Sequence, residues 1–185
     1  HFKTFDGDVY QFPGFCEYNL VKDCHGSQGK FSVHIKREKN DGKVTISYTV
    51  VTVNENTFNL NKKLVKKNNE PVTLPHYSGG VKVEESTFYI KLDAPRVGIS
   101  VMWNREDAVM VEVSNNYKNQ TCGLCGDFNG VPVYNELINN GIKISQVEFG
   151  NSHKVHLPND DCNDPREDKG ESLKAVNVPS TCKNS

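Results

Sequence analysis

Apolar and polar residues alternate with a period of two along most of this chain. Phe31, Val33 and Ile35 alternate with Ser32, His34 and Lys36. Successive side chains of a strand point to opposite faces, so this is the signature of a half-buried strand. Asn40-Asp41-Gly42 is a hairpin turn, and Val44, Ile46, Tyr48, Val50, Val51 and Val53 form the returning strand. Phe58 and Leu60, Leu64 and Val65, and Val72 and Leu74 give short strands split by Asn- and Lys-rich turns. Ser78-Gly79-Gly80 leads into Val81 and Val83, followed by Phe88, Ile90 and Leu92. Val97, Ile99, Val101 and Trp103 then pair across the Asn104–Asp107 turn with Val109, Val111 and Val113. That is about nine short strands with a turn roughly every 8–12 residues, and no sustained 3.6-residue period, which predicts an all-β, antiparallel β-sandwich.

The two ends of the chain differ from this middle. Residues 1–23 are rich in aromatics, with Asp6-Gly7 as a turn inside the run, predicting a tight hairpin from Phe2–Phe5 to Val9–Phe12. After Gly130 the alternation loosens. Tyr134–Ile138 reads as a short helical turn, and Ile142, Ile144, Val147 and Phe149 supply further apolar anchors. From Asn159 the composition becomes charged with little to bury, so 163–185 reads as a poorly ordered linker.

Composition narrows the function classes. The 185 residues carry a net charge of −1, which makes no electrostatic case for nucleic acid or an anionic membrane. No apolar run approaches the ~20 residues of a membrane helix. The chain opens on His1 with no signal peptide, as an excised part of something longer would. The six cysteines are Cys16, Cys24, Cys122, Cys125, Cys162 and Cys182, and none falls in the block from residue 30 to 115. Asn119-Gln120-Thr121 is the single N-glycosylation sequon, and with the cysteines it tilts the chain toward a secreted, oxidised protein.

Chemistry concentrates in Thr121–Gly130, TCGLCGDFNG. Its CxxC, Cys122 and Cys125, reads as a redox pair, half a zinc site or two structural half-cystines, and the lack of a second close pair weakens zinc. Asp127-Phe128-Asn129-Gly130 places oxygen ligands two apart before a glycine, as a calcium loop does, or forms a plain turn capped by its own side chains. The six histidines, His1, His25, His34, His76, His153 and His156, are scattered, and each is best read as solvated or half-buried imidazole. Met102 and Met110 flank the Asn104–Asp107 turn symmetrically. Shared core packing is their ordinary role, and the alternative is a thioether pair that binds Cu(I) with a third ligand from another module. No catalytic triad, carboxylate pair, P-loop or dinucleotide fingerprint stands out, so the chain is not read as an enzyme.

Two separated motifs, FDGDVYQFPGFC (Phe5–Cys16) and CGLCGDFNG (Cys122–Gly130), together resemble the von Willebrand factor type D domain, from His1 to about Cys162. The Trp103–Asp107 stretch and Glu148–Asn151 are most similar to the first D assembly of secreted gel-forming mucins. The resemblance implies a D domain over 1–162 that lacks its N-terminal flank, short helical turns around a C-terminal calcium loop, and 163–185 as linker toward a following cysteine-rich module. It implies Cys16–Cys162 and Cys24–Cys122 disulfides, with Cys125 and Cys182 bonded to residues outside this chain. It implies Ca²⁺ on Asp6, Asp127, Asn129, the carbonyl of Val131, Asn135 and Glu136, with Asp8 the nearby alternative to Asp6. The implied role is structural: calcium- and pH-dependent packing and disulfide-linked polymerisation of an extracellular mucus gel. The partners would be other D-assembly modules and other copies of the chain, secreted after granule storage, with no nucleic acid and no membrane insertion. The alternatives are a thiol-disulfide oxidoreductase acting through CGLC, or a D domain of another extracellular adhesive protein.

Overall fold

A computed structural model describes residues 1–26, 29–131, 137–139, 141–158 and 162–163. The N-terminal hairpin is β1 (Phe2–Lys3) and β2 (Val9–Tyr10). Then come β3 (Glu17–Asp23), β4 (Phe31–Asn40), β5 (Lys43–Val53), β6 (Asn56–Asn61), β7 (Val65–Lys67) and β8 (Glu70–Val72). A second run holds β9 (His76–Ser78), β10 (Val81–Glu85), β11 (Ile90–Ala94), β12 (Ile99–Trp103) and β13 (Val109–Val113). A 3-10 turn at Asn115–Tyr117 leads to β14 (Thr121–Cys122), β15 (Ile138–Asn139), β16 (Ile142–Lys143) and helix α1 (Gln146–Ser152).

The strands make two principal antiparallel sheets, as the alternation predicts. One has seven strands in the order β14-β3-β4-β5-β6-β7-β8, the other five in the order β13-β12-β11-β10-β9. Four of the connections between neighbouring strands are two-residue turns among the described residues. Asp41-Gly42, Asn54-Glu55, Asn68-Asn69 and Gly79-Gly80 all have both residues at positive φ, which matches the right-handed strand twist. The inward residues of the two sheets form one core that includes Val33, Ile35, Val51, Phe58, Leu60, Val83, Leu92, Val101 and Trp103. The Trp103 and Phe58 side chains are fully buried.

Three details depart from the periodic reading. Phe88 is 80% exposed, because the Ser86 hydroxyl accepts the N–H groups of Phe88 and Tyr89 and bends the chain before β11 begins. β12 starts at Ile99 rather than Val97, since the N–H groups of Val97 and Gly98 both turn back to the Ala94 carbonyl. Met102 and Met110 are direct cross-strand partners on the outer face, with Met110 52% exposed, so core packing is not their role. The predicted helical turn at 134–138 falls mostly outside the described residues, as does nearly all of the 163–185 linker.

Two disulfides flank the sandwich. Cys16 joins Cys162 across 146 residues, and Cys24 joins Cys122 across 98. Both are the pairings that the family resemblance implies. Arg37 holds the intervening N-terminal loop: its buried guanidinium donates to the carbonyls of Phe12 and Gly14 at 2.7 Å and sits over the Phe2 ring.

Candidate functional site

The FDG hairpin and the GDFNG loop, more than 120 residues apart in sequence, dock on each other. Phe5 packs against Phe128 with ring centroids 5.4 Å apart. Asp6 then reaches across: Oδ2 accepts the Asn129 N–H at 3.1 Å and Oδ1 accepts the Gly130 N–H at 2.7 Å. The Phe5 N–H donates to the Cys125 carbonyl at 2.9 Å, and the Tyr10 hydroxyl donates to the Leu124 carbonyl. Phe128 has φ +55, a left-handed conformation unfavourable to a bulky residue. The Phe5 contact and the Asn119 N–H donated to its carbonyl, at 3.0 Å, hold it there.

The CGLC segment is seated by backbone contacts. The N–H groups of Leu124 and Cys125 donate to the carbonyls of Asn19 and Leu20, beside the register shift in β3. Gly123 is required here: a Cβ would lie 2.6 Å from the Leu20 carbonyl oxygen, and φ is +121°. The Thr121 hydroxyl donates to the Gly126 carbonyl at 2.9 Å and closes the loop from inside.

Within the loop, Asn129 Nδ2 donates to Asp127 Oδ2 at 3.1 Å and Asn129 Oδ1 accepts the Val131 N–H at 2.8 Å. Among the described residues, Asp127 Oδ1 is buried with no hydrogen-bond donor. Burial first, and the charge of Asp6 second, push the Asp127 carboxyl above the usual carboxylate range. Among the same described residues Asp8 Oδ2, in the FDG hairpin, is also buried without a donor. An orphaned buried carboxylate oxygen beside a second carboxylate is a site that a cation relieves, and hard oxygen donors suit Ca²⁺. Among the described residues no three His, Cys, Asp or Glu side chains group closely enough to hold a metal alone. A cation here therefore has to draw on amide and backbone oxygens or on positions 135 and 136. Asn135 and Glu136, like Cys182, lie outside the described residues.

The two cysteines of CGLC have different fates. Cys122 is bonded to Cys24. Cys125 is the free cysteine among the described residues, and burial pushes its thiol up to about 12. It borders a cleft of about 650 Å³ between the N-terminal hairpin and the two sheets, with Phe2, Leu20, Ile46 and Val109 on its walls. β13 runs along this cleft as the edge of its sheet, and its inward-facing Val109, Val111 and Val113 are only half-buried. The partner residues Trp103, Val101 and Ile99 on β12 are at most 3% exposed.

Of the sites read from sequence, Asp6, Asp127 and Asn129 come together, with Val131 following them in the same loop. Met102 and Met110 pair on the outer face of β12–β13, with Met110 bordering the same cleft as Phe5 and Cys125. Among the histidines, His153 is the most perturbed. It closes α1 against β3, its carbonyl accepting the Asn19 N–H, and burial with help from the Lys22 charge lowers its pKa to about 4. Sequence reading missed the Phe5–Phe128 contact, although each phenylalanine sits inside one of the two motifs. It also missed the cluster in which Glu17 accepts the Tyr48 hydroxyl at 2.9 Å and faces His34 Nδ1 at 3.5 Å. Placing Glu17 opposite Lys36, and Lys36 opposite Tyr48, needs the β3-β4-β5 register.

A family model for the von Willebrand factor type D domain matches residues 1–142. Mucin-2 of Rattus norvegicus is 47% identical over 169 residues, covering 90% of this chain and 11% of that protein. Mucin-2 of Homo sapiens is 43% identical over 170 residues, 91% of this chain and 3% of that protein. Mucin-5AC of Homo sapiens is 41% identical over 165 residues, 89% and 3%. The chain thus spans only a small part of each of these relatives.

Proposed function

The chain belongs to the von Willebrand factor type D domain family, and on that premise we propose that it is a calcium-binding structural and assembly module of a secreted gel-forming mucin. The observation that carries the calcium reading is the buried, donorless Oδ1 of Asp127, in a loop pinned by Asp6 from the distant FDG turn. Asp6, Asp127, Asn129, the Val131 carbonyl, Asn135 and Glu136 would hold the ion. Bound Ca²⁺ would supply the positive charge that these oxygens lack. A site built from two remote segments scarcely exists in the unfolded chain, so its binding energy becomes folding energy, about 2.7 kcal/mol at a hundredfold excess over Kd.

The module acts as scaffold rather than catalyst. Cys122 is engaged with Cys24, and a Cys125 thiol held up to about 12 supplies almost no thiolate at neutral pH. Cys125 and Cys182 receive cysteines from outside this chain, and the cleft at Cys125 gives the first of these room to enter. Calcium- and pH-dependent contacts with other D-assembly modules, and with other copies, bring chains into register for disulfide-linked polymerisation into an extracellular gel after granule storage. The same fold in another extracellular adhesive protein is the nearest alternative.

The test is a disulfide map of protein carrying both flanks, with metal quantified on the same sample. About one calcium per domain and no Cys122–Cys125 bond support this reading. A Cys122–Cys125 bond with no calcium at millimolar supply overturns it in favour of redox chemistry.

A second reading concerns Met102 and Met110. Their direct opposition on an exposed strand pair favours a Cu(I) site completed by a ligand from another module. Cu(I) affinity by competition with a chromogenic chelator should drop at least about tenfold in the Met102→Leu, Met110→Leu protein, and an unchanged affinity ends the idea.

A further inference from the structure

The sequon Asn119-Gln120-Thr121 lies against the Cys24–Cys122 bond, and its three residues have contrasting surroundings. The Asn119 side chain is exposed, on a residue at φ +61°. Thr121 is 1% exposed, and its hydroxyl is already donated to the Gly126 carbonyl at 2.9 Å. The backbone between them is fixed on both sides. The Asn119 N–H donates to Phe128, the Gln120 N–H donates to Tyr117, and the Gln120 carbonyl accepts the Cys24 N–H at 2.8 Å. Thr121 and Cys122 pair with Asp23 and Lys22 in β14–β3, and the disulfide clamps the next residue.

An enzyme that glycosylates asparagine in this triplet must engage the hydroxyl of the third residue as well as the amide of the first. Here the folded chain offers the amide and withholds the hydroxyl. We propose that Asn119 is a glycan acceptor only before β14 docks and Cys24 bonds to Cys122, so that glycan transfer and closure of this disulfide compete for the same segment. The step joins Asn119 Nδ2 to the anomeric carbon of a lipid-pyrophosphate-linked oligosaccharide. The carbon–oxygen bond to pyrophosphate breaks, the lipid pyrophosphate leaves with the electron pair, and an amide proton is lost to base. Once in place the glycan meets no obstacle, since Lys118, Asn119 and Gln120 are all exposed. Closure of the disulfide then fixes whatever occupancy has been reached.

The inference rests on the secretory route proposed above, and the experiment separates the two. Oxidised, folded chain and reduced, unfolded chain are each given oligosaccharyltransferase and its lipid-linked donor, and transfer to Asn119 is read by mass shift, with Asn119→Gln as blank. The unfolded chain should be modified and the folded chain at least about tenfold more slowly, because reading Thr121 first requires local opening. In secreting cells, the Cys24→Ser, Cys122→Ser double variant should carry more glycan at Asn119 than the parent, whether or not it folds, because its acceptor window does not close. Equal rates for folded and unfolded chain overturn the proposal, as does failure of the unfolded chain to accept glycan. Transfer confined to the unfolded chain, together with none in secreting cells even on the Cys24→Ser, Cys122→Ser variant, upholds the inference and sinks the secretory reading instead.

Discussion

The sandwich between residues 30 and 115 and the junction of the FDG and GDFNG motifs are held together by different physics. The sandwich contains no cysteine, and its inward side chains, those of the edge strand β13 apart, interdigitate at near-zero exposure across two sheets. The junction has few buried aliphatic contacts. It depends on one aromatic pair, backbone hydrogen bonds to Asp6, a disulfide at Cys122 and buried carboxylate oxygens without donors. Packing is distributed, whereas the junction concentrates its contacts in a few groups, which on the function proposed above would respond to redox state, metal and pH. A responsive site can then be varied without dissolving the scaffold that presents it.

The largest loss of stability is expected at Trp103. Trp103→Ala empties a fully buried position and should lower unfolding stability by about 3–5 kcal/mol in urea titration, with calcium affinity of the remaining folded protein unchanged. Removing the Cys24–Cys122 bond by double substitution to serine should cost about 2–4 kcal/mol, because a 98-residue loop regains its unfolded-state freedom. Unlike the tryptophan variant, it should also weaken calcium binding, read by titration calorimetry.

A smaller and pH-dependent effect belongs to His153. Its folded pKa is about 4 against 6.5 for a free ring, so the folded chain binds fewer protons. Its contribution is fully present above pH 6.5 and is lost as pH falls toward 4, up to about 3 kcal/mol. Stability measured across this range should lose that part of its slope in His153→Phe. The smallest effect on stability is expected from Asp127→Asn. Without metal the change should lie within about 1 kcal/mol of neutral, since it removes a carboxylate that burial and Asp6 disfavour. With calcium the parent should gain stability and the variant should not. A variant that still gains it would place the ion elsewhere.

Much of the sandwich was legible because alternation and turn chemistry agreed. Asp41-Gly42 and Gly79-Gly80 announce their two-residue turns, and Val101 and Trp103 fall on the inward face that their spacing implies. Phe88 was misplaced because an apolar residue in register reads as a strand position, and only the Ser86 hydroxyl bonds reveal the turn. Helix α1 was missed although Ser145-Gln146-Val147-Glu148 carries the start of a capping box, and Ser145 does accept the Glu148 N–H at 3.0 Å. Seven residues are too few for an apolar period to register. At the junction, Asp127 and Asn129 were read from the Asp-x-Asn-Gly run itself, whereas Asp6 entered only through motif resemblance, since no local pattern connects residues more than 120 positions apart. Preferring Asp6 to Asp8 rested on the same resemblance; Asp6 accepts two N–H groups of the GDFNG loop, whereas Asp8 keeps a buried oxygen without a donor among the described residues.

The Cys16–Cys162 bond also has a mechanical meaning. A polymer made of such modules is pulled along its chain, and tension arriving before Cys16 leaves after Cys162 through the covalent crosslink. The chain between them, spanning a sequence separation of 146, is taken out of the load path. Without that shunt, unravelling it would lengthen each module by roughly 500 Å at full extension. With it, contour length stays the same whether the sandwich is folded or not. Stretching then cannot be relieved by unfolding the chain between these two cysteines, and any extension is left to segments outside that loop.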